Sequence, residues 1–300
     1  MPSELRADIS EIPLGDRGSG PYHLTLGPDR ALWLTLIHSG QVARMTPRGD
    51  LDCYQAGPPS GRPSIVTTGP DGALWFTLNE ADAIGRITTA GEVRTFGVTA
   101  GSGPFGIAAG PDGALWYTQI KADRIGRITT TGQVTDFPVP ATGSMPSMIT
   151  LGGDGELWFT LNQAGAVGRI RPDGEVTLYP LPEAGAGPVG LTLGADNAIW
   201  FTEIGAGQLG RITPDGQLAE FPLPDRSARP HAIIADPAGG GCWFTEWAAN
   251  CIGRISPAGQ VEEYALPTPS SEPHGLAAGS DGAIYAALET GSIARLTVTP

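Results

Sequence analysis

A tryptophan in the setting Leu-Trp, Ile-Trp or Cys-Trp returns at Trp33, Trp75, Trp116, Trp158, Trp200 and Trp243, in steps of 41 to 43 residues. Tyr285 fills the seventh place. A proline lies 12 or 13 residues before each of these aromatics (Pro21, Pro63, Pro104, Pro146, Pro188, Pro230, Pro273). An arginine lies 10 or 11 residues after each (Arg44, Arg86, Arg127, Arg169, Arg211, Arg254, Arg295), most of them in a Gly-Arg-Ile phrase. A period of this length marks a repeat architecture, in which each unit buries its apolar faces only against its neighbours. Three independent markers count seven units.

One repeat gives the local structure. Phe105–Ala109, Ala114–Thr118, Ile125–Thr129 and Gln133–Phe137 are short apolar runs bounded by Gly, Pro, Asp or Asn. That is the pattern of strands, whereas an α-solenoid needs helical periodicity over at least ten residues per run. Four antiparallel strands in each of seven repeats describe an all-β, seven-bladed β-propeller, a single domain over residues 1–300. The 44 glycines and 28 prolines, which without a period would suggest disorder, are then turn punctuation, as in the Pro-Asp-Gly triplets at 70–72, 111–113, 172–174 and 214–216. The recurrent tryptophan reads as a wedge between blades.

The chain also indicates how the ring closes. Its last repeat ends after a third strand, while Leu5–Leu14 (LRADISEIPL) matches the fourth-strand phrases GQVTDFPVP and GQLAEFPLP. The N-terminal segment is therefore expected to form the outer strand of the seventh blade, which removes the open ends of the ring.

A formal charge of −13 argues against nucleic acid and anionic membrane surfaces as partners and leaves room for a cation or a neutral small ligand. No apolar run reaches the length of a membrane span, and the first residues lack the basic and apolar regions of a signal peptide, so a cytoplasmic protein is expected. Cys53, Cys242 and Cys251 lack paired metal-ligand spacing and read as reduced, structural thiols.

Candidate functional positions are those where the repeats differ. After the marker proline stand Tyr22, Ser64, Phe105, Ser147, Val189, His231 and His274, so histidine occurs only in blades 6 and 7. Before it stand Gly20, Arg62, Gly103, Met145, Gly187, Arg229 and, uniquely acidic, Glu272. Three residues beyond the tryptophan come Leu36, Leu78, Gln119, Leu161, Glu203 and Glu246, and in blade 7 the acid Glu289 falls one place later. The first two strands of a blade are antiparallel neighbours, which brings the start of one beside the end of the next. Glu272 and His274, two residues apart and able to share one face of an extended segment, should therefore meet Glu289. His231 and Tyr22, from the adjoining blades of a closed ring, should flank them. His23 and Lys121 read as surface or structural residues.

Two carboxylates that leave room for waters and a ligand suit Mg²⁺, which acts as a Lewis acid on a carbonyl. A neutral histidine beside it can serve as a general base. On composition alone, an equal reading makes Glu272 and Glu289 solvated rim acids and the histidines hydrogen-bonded channel residues.

These residues make the chain recognisable. Gly20-Pro21-Tyr22, the Leu-Trp-Phe-Thr phrases, ARPHAI at 228–233, FTEWAANCIGRI at 244–255 and EPHG at 272–275, followed by Glu289, resemble the virginiamycin B (streptogramin B) lyase family over essentially the full length. The resemblance implies a monomeric, Mg²⁺-dependent carbon–oxygen lyase that confers antibiotic resistance by opening cyclic type B streptogramin depsipeptides at their ester through β-elimination. It also implies that Glu272 and Glu289 attend the metal, that His274 is the catalytic base or acid, and that His231 and Tyr22 contact substrate. Departures are GPYH at 20–23 where the family often has GPYG, the absence of Glu at Leu36, Leu78, Gln119 and Leu161, and Tyr285 in place of Trp. Two other functions keep the same fold: a non-catalytic ligand-binding propeller, and a metal-dependent lactonase-like hydrolase.

Overall fold

Leu32–Leu36, Leu74–Leu78, Ala114–Gln119, Leu157–Leu161, Ile199–Glu203, Cys242–Glu246 and Ile284–Leu288 are strands buried at every position. A strand can be buried on both faces only if something packs on each, and here the neighbouring blades do so. In the computed structural model, residues 6–183 and 185–299 are described, and their strands form seven four-stranded antiparallel sheets. Blade 3, the repeat read strand by strand above, runs Pro104–Ala109, Ala114–Gln119, Arg124–Thr129 and Val134–Pro138. The inner strand of each blade starts at its marker proline, and the outer strand alternates toward solvent, as in Leu51–Gln55.

Each tryptophan is a wedge, as its periodicity implies. Trp33 packs among Val66, Leu74, Phe76 and Leu78 of the next blade, and its ring stacks on Tyr54 of its own outer strand with centroids 6.0 Å apart. Its indole N–H donates to Asp29, whose other oxygen takes Arg44 Nε at 2.7 Å. The Asp–Trp–Arg link recurs at Asp71, Asp112 and Asp196. Tyr285 keeps the connection in blade 7, since its hydroxyl donates to Asp281, the partner of Arg295.

The ring closes as expected. Arg6–Pro13 pairs antiparallel with Ser292–Thr299 in an eight-residue register from Arg6↔Thr299 to Pro13↔Ser292, and Leu14 N–H continues it to the carbonyl of Gly291. Leu5, the first residue of the anticipated strand, lies outside the described residues. Leu24 and Leu34 of blade 1 share a core with Ala277, Tyr285 and Ile293 of blade 7, so the seam between first and last blades is packed like the others.

A buried threonine ladder stitches consecutive blades together. Thr35, Thr77, Thr118, Thr160, Thr202 and Thr245 each accept an N–H from the inner strand of their own blade. Each also donates its hydroxyl to the carbonyl that follows the marker proline of the next blade. Ala287 interrupts the ladder in blade 7.

Candidate active site

The residue before each marker proline is in the left-handed region: Gly20, Arg62, Gly103, Met145, Gly187, Arg229 and Glu272 have φ between 51° and 67°. In each blade its carbonyl accepts the N–H of the residue just past the second strand. In blade 7 this bond joins Glu289 N–H to Glu272 C=O at 3.1 Å, which makes the two acids backbone neighbours. Glu272 is therefore not part of an extended segment with His274, and strand alternation does not set its direction. The left-handed turn does, at a conformational cost of order 1 kcal/mol for a non-glycine residue.

Pairing also refines the place of Glu289. Pro230 faces Glu246 and Pro188 faces Glu203, but Pro273 faces Leu288. Glu289 thus occupies the position of Ile37, Asn79, Ile120, Asn162, Ile204 and Trp247, and is not a displaced counterpart of Glu246. Glu203 and Glu246 are the last residues of their strands, whereas Glu289 lies just beyond the end of its own. Glu203 and Glu246 are fully buried, whereas the Glu289 side chain is 21% exposed.

Tyr22, His231 and His274 begin the inner strands of blades 1, 6 and 7, and the ring brings them together. The His274 ring lies 4.6 Å from that of Tyr22 and 4.7 Å from that of His231, while Tyr22 and His231 are 6.1 Å apart. Thr202 and Thr245 hold the carbonyls of His231 and His274 at 2.8 and 2.7 Å. His274 Nε2 is 2.5 Å from Glu289 Oε2, an ion-pair distance. The Nδ1 atoms of His231 and His274 are buried without hydrogen-bond partners.

Electrostatics follow from these neighbours. The His274 and His38 imidazoles hold the Glu289 carboxyl below its ordinary range against the opposing effect of burial. Burial, reinforced by His274 and His23, pushes His231 down to about 3, so it is neutral near pH 7. Burial and the Glu289 charge raise the Tyr22 phenol, which stays protonated.

The second imidazole on Glu289 was not among the candidates. His38, from blade 1, places Nε2 2.9 Å from Glu289 Oε1. It stands five residues past Trp33, outside the positions where the repeats were compared; its one signal was rarity, since the chain has 4 histidines. His23 is structural: its Nδ1 accepts the Val66 N–H at 3.4 Å, and burial takes its pKa down to about 4. Lys121 is a surface residue paired with Glu80.

Beneath Tyr22 and His231, a cavity of about 410 Å³ runs along the inner strands, walled by Leu24, Ile107, Leu191 and Ile233. Its mouth combines apolar and aromatic surface with a few convergent polar groups, the usual make-up of a small-molecule site. Among the described residues, no group of three or more histidines, cysteines or acids is placed to hold a metal. Glu272 and Glu289 do not form a complete protein cage. Were both carboxylates to ligate one ion, two hard oxygens completed by waters and a ligand's own oxygens would suit Mg²⁺ and not a four-ligand zinc centre.

The description "Virginiamycin B lyase family" applies to a family model that matches residues 7–296. A virginiamycin B lyase of Saccharopolyspora erythraea is 52% identical over 50 residues, 17% of each chain, so the shared stretch is a small part of that relative's length. The crystal structure of virginiamycin B lyase from Staphylococcus aureus superposes with a TM-score of 0.94 at 39% identity, covering 98% of this chain and all of that one. A catalytically inactive histidine-to-alanine variant of the same S. aureus protein, crystallised with quinupristin, superposes equally well at 38% identity and the same coverage.

Proposed function

The chain belongs to the virginiamycin B lyase family, and from that premise we propose that it linearises cyclic type B streptogramin depsipeptides by Mg²⁺-dependent β-elimination at their ester, an activity that confers antibiotic resistance. The observation that carries this reading is the meeting of His274 with Glu289, against the rings of Tyr22 and His231, two residues that line the apolar cavity. That the S. aureus relative is inactive without one histidine, in a structure with quinupristin, supports a histidine at the centre of the chemistry and a depsipeptide as the ligand.

Glu272 and Glu289 would hold Mg²⁺, which when bound supplies positive charge to carbonyl oxygens of the substrate. The remaining work falls to the chain itself. Tyr22 offers a neutral aromatic face to the macrocycle, and His231, neutral and with Nδ1 unpartnered, can accept or donate one hydrogen bond to it. His274 takes the α-proton of the residue whose side chain carries the ester. The electron pair forms a Cα=Cβ double bond, and the Cβ–O bond breaks to release a carboxylate. The product is a linear isomer of the substrate, and no water is consumed. His274 Nε2 lies against Glu289, so the carboxylate must shift before that nitrogen can meet substrate.

The test is incubation of a type B streptogramin with the purified protein, with Mg²⁺ and separately with a chelator. The reading expects a shifted retention time and linear fragmentation at unchanged mass, abolished by the chelator. A product heavier by one water would indicate a lactonase-like hydrolase, and an untouched macrocycle a binding propeller or another substrate.

A further inference from the structure

We infer that His38 is a positioning residue of this site: reaching across the seam from blade 1, it holds Glu289 in the orientation in which that carboxylate accepts a divalent cation. The inference rests on the cation-dependent reading above and adds to it a second residue from blade 1, in addition to Tyr22.

Glu289 stands just past the end of a strand with its side chain partly in water, and His274 Nε2 meets only its Oε2, at 2.5 Å. His38 supplies a second restraint, with Nε2 2.9 Å from Oε1. The backbone beneath it is fixed, since His38 N–H donates to the carbonyl of Ser19 at 3.1 Å and Ile37 N–H to that of Gly20 at 2.8 Å. The rim is also cleared for its ring. A Cβ at Gly20 would run into the His38 imidazole, and Gly20 holds φ +67°. Blade 1 thus gives up the side chain that blade 7 carries as Glu272, and the histidine fills the space. At the same place, five residues past the marker aromatic, the other blades carry Glu80, Lys121, Gln163, Gly205, Ala248 and Thr290. Only blade 1 puts an imidazole there, on the side that abuts blade 7.

A carboxylate oxygen has two lone-pair directions, so Oε1 can accept from an imidazole N–H and still ligate a cation. Hydrogen bonds of this kind orient metal-bound carboxylates, and their loss costs about 10–100-fold in metal affinity. With only two protein carboxylates available, restraining one of them matters more than it would in a full cage. Because the His38 side chain is 44% exposed, the lower end of that range applies.

The experiment is calorimetric titration of Mg²⁺ alone, without substrate, into the wild type, His38→Ala and His38→Gln, whose amide nitrogen can stand where Nε2 does. Melting temperatures are recorded beside each titration. The expected result is binding weakened about tenfold in His38→Ala with little change in melting temperature, and largely restored in His38→Gln. If the wild type binds Mg²⁺ and His38→Ala binds it equally well or more tightly, the inference falls and the cation reading stands. If the wild type binds none, both fall.

Discussion

Thr245 of blade 6 donates its hydroxyl to the carbonyl of His274 in blade 7 at 2.7 Å and accepts the N–H of Ala232 at 3.0 Å. One side chain therefore fixes the backbone beside His231 and at His274 together. Thr245→Val leaves a buried carbonyl and a buried N–H without partners and is expected to cost about 1–3 kcal/mol of stability. Thr118→Val breaks the same link between blades 3 and 4 and should cost a similar amount. The account expects turnover per folded molecule to fall only in the Thr245 variant, as read by melting and steady-state assays of both.

Removing the base should affect chemistry and not folding. His274→Ala is expected to lower kcat roughly 10²–10⁴-fold with an intact melting transition. Tyr22 lies 4.6 Å from the same ring and contributes surface. Tyr22→Phe should keep most activity, while Tyr22→Ala should raise KM by roughly tenfold, equivalent to about 1.4 kcal/mol of binding. Steady-state kinetics with the three variants separate these roles.

Stability should fall as pH rises through neutrality. Burial lifts the carboxyl of Glu203 to about 7 and that of Glu246 to about 8, while the unfolded chain ionises both near its ordinary value. Between those limits the native state holds more protons than the unfolded one. Their stabilising contribution is therefore complete below about pH 4.5 and is lost as pH climbs to about 8. Glu246→Gln should melt close to wild type at pH 5 and higher than wild type at pH 8. Scanning calorimetry at the two pH values checks it; equal shifts at both would mean that Glu246 is ionised in the fold.

Ring closure gives a fourth expectation. The pairing of Arg6–Pro13 with Ser292–Thr299 leaves the outer edge of blade 7 covered, and Glu11 accepts both the N–H and the hydroxyl of Thr268. Deleting residues 1–15 should lower the melting temperature on the order of 10 °C or more, since each kcal/mol lost is worth about 2–4 °C in a domain of this size class.

What was legible in the sequence was what repeats or conspicuously fails to repeat. The Trp33-to-Tyr285 series fixed the blade count, and the match of the N-terminal segment to the outer strands fixed closure. Tyr22, His231 and His274 emerged as departures at one repeat position, and the ring brings them within contact of one another. Distances between side chains from different blades left no trace. Ring closure places blade 1 against blade 7, but that His38 reaches Glu289 across that seam, at 2.9 Å, is set by side-chain geometry that the repeat does not carry. The one-residue step that separates Glu289 from Glu203 and Glu246 became meaningful only once Pro273 was found opposite Leu288, because that step carries the acid past the end of a strand that is buried throughout.

The most direct test of elimination by this site is to run the reaction in water enriched in oxygen-18, with Mg²⁺ present, and weigh the linear product. The account predicts a product with the mass of the macrocycle and no heavy oxygen, formed by the wild type and nearly absent with His274→Ala. A product carrying one heavy oxygen in its new carboxylate or hydroxyl would mean that water attacks the ester, and would contradict it.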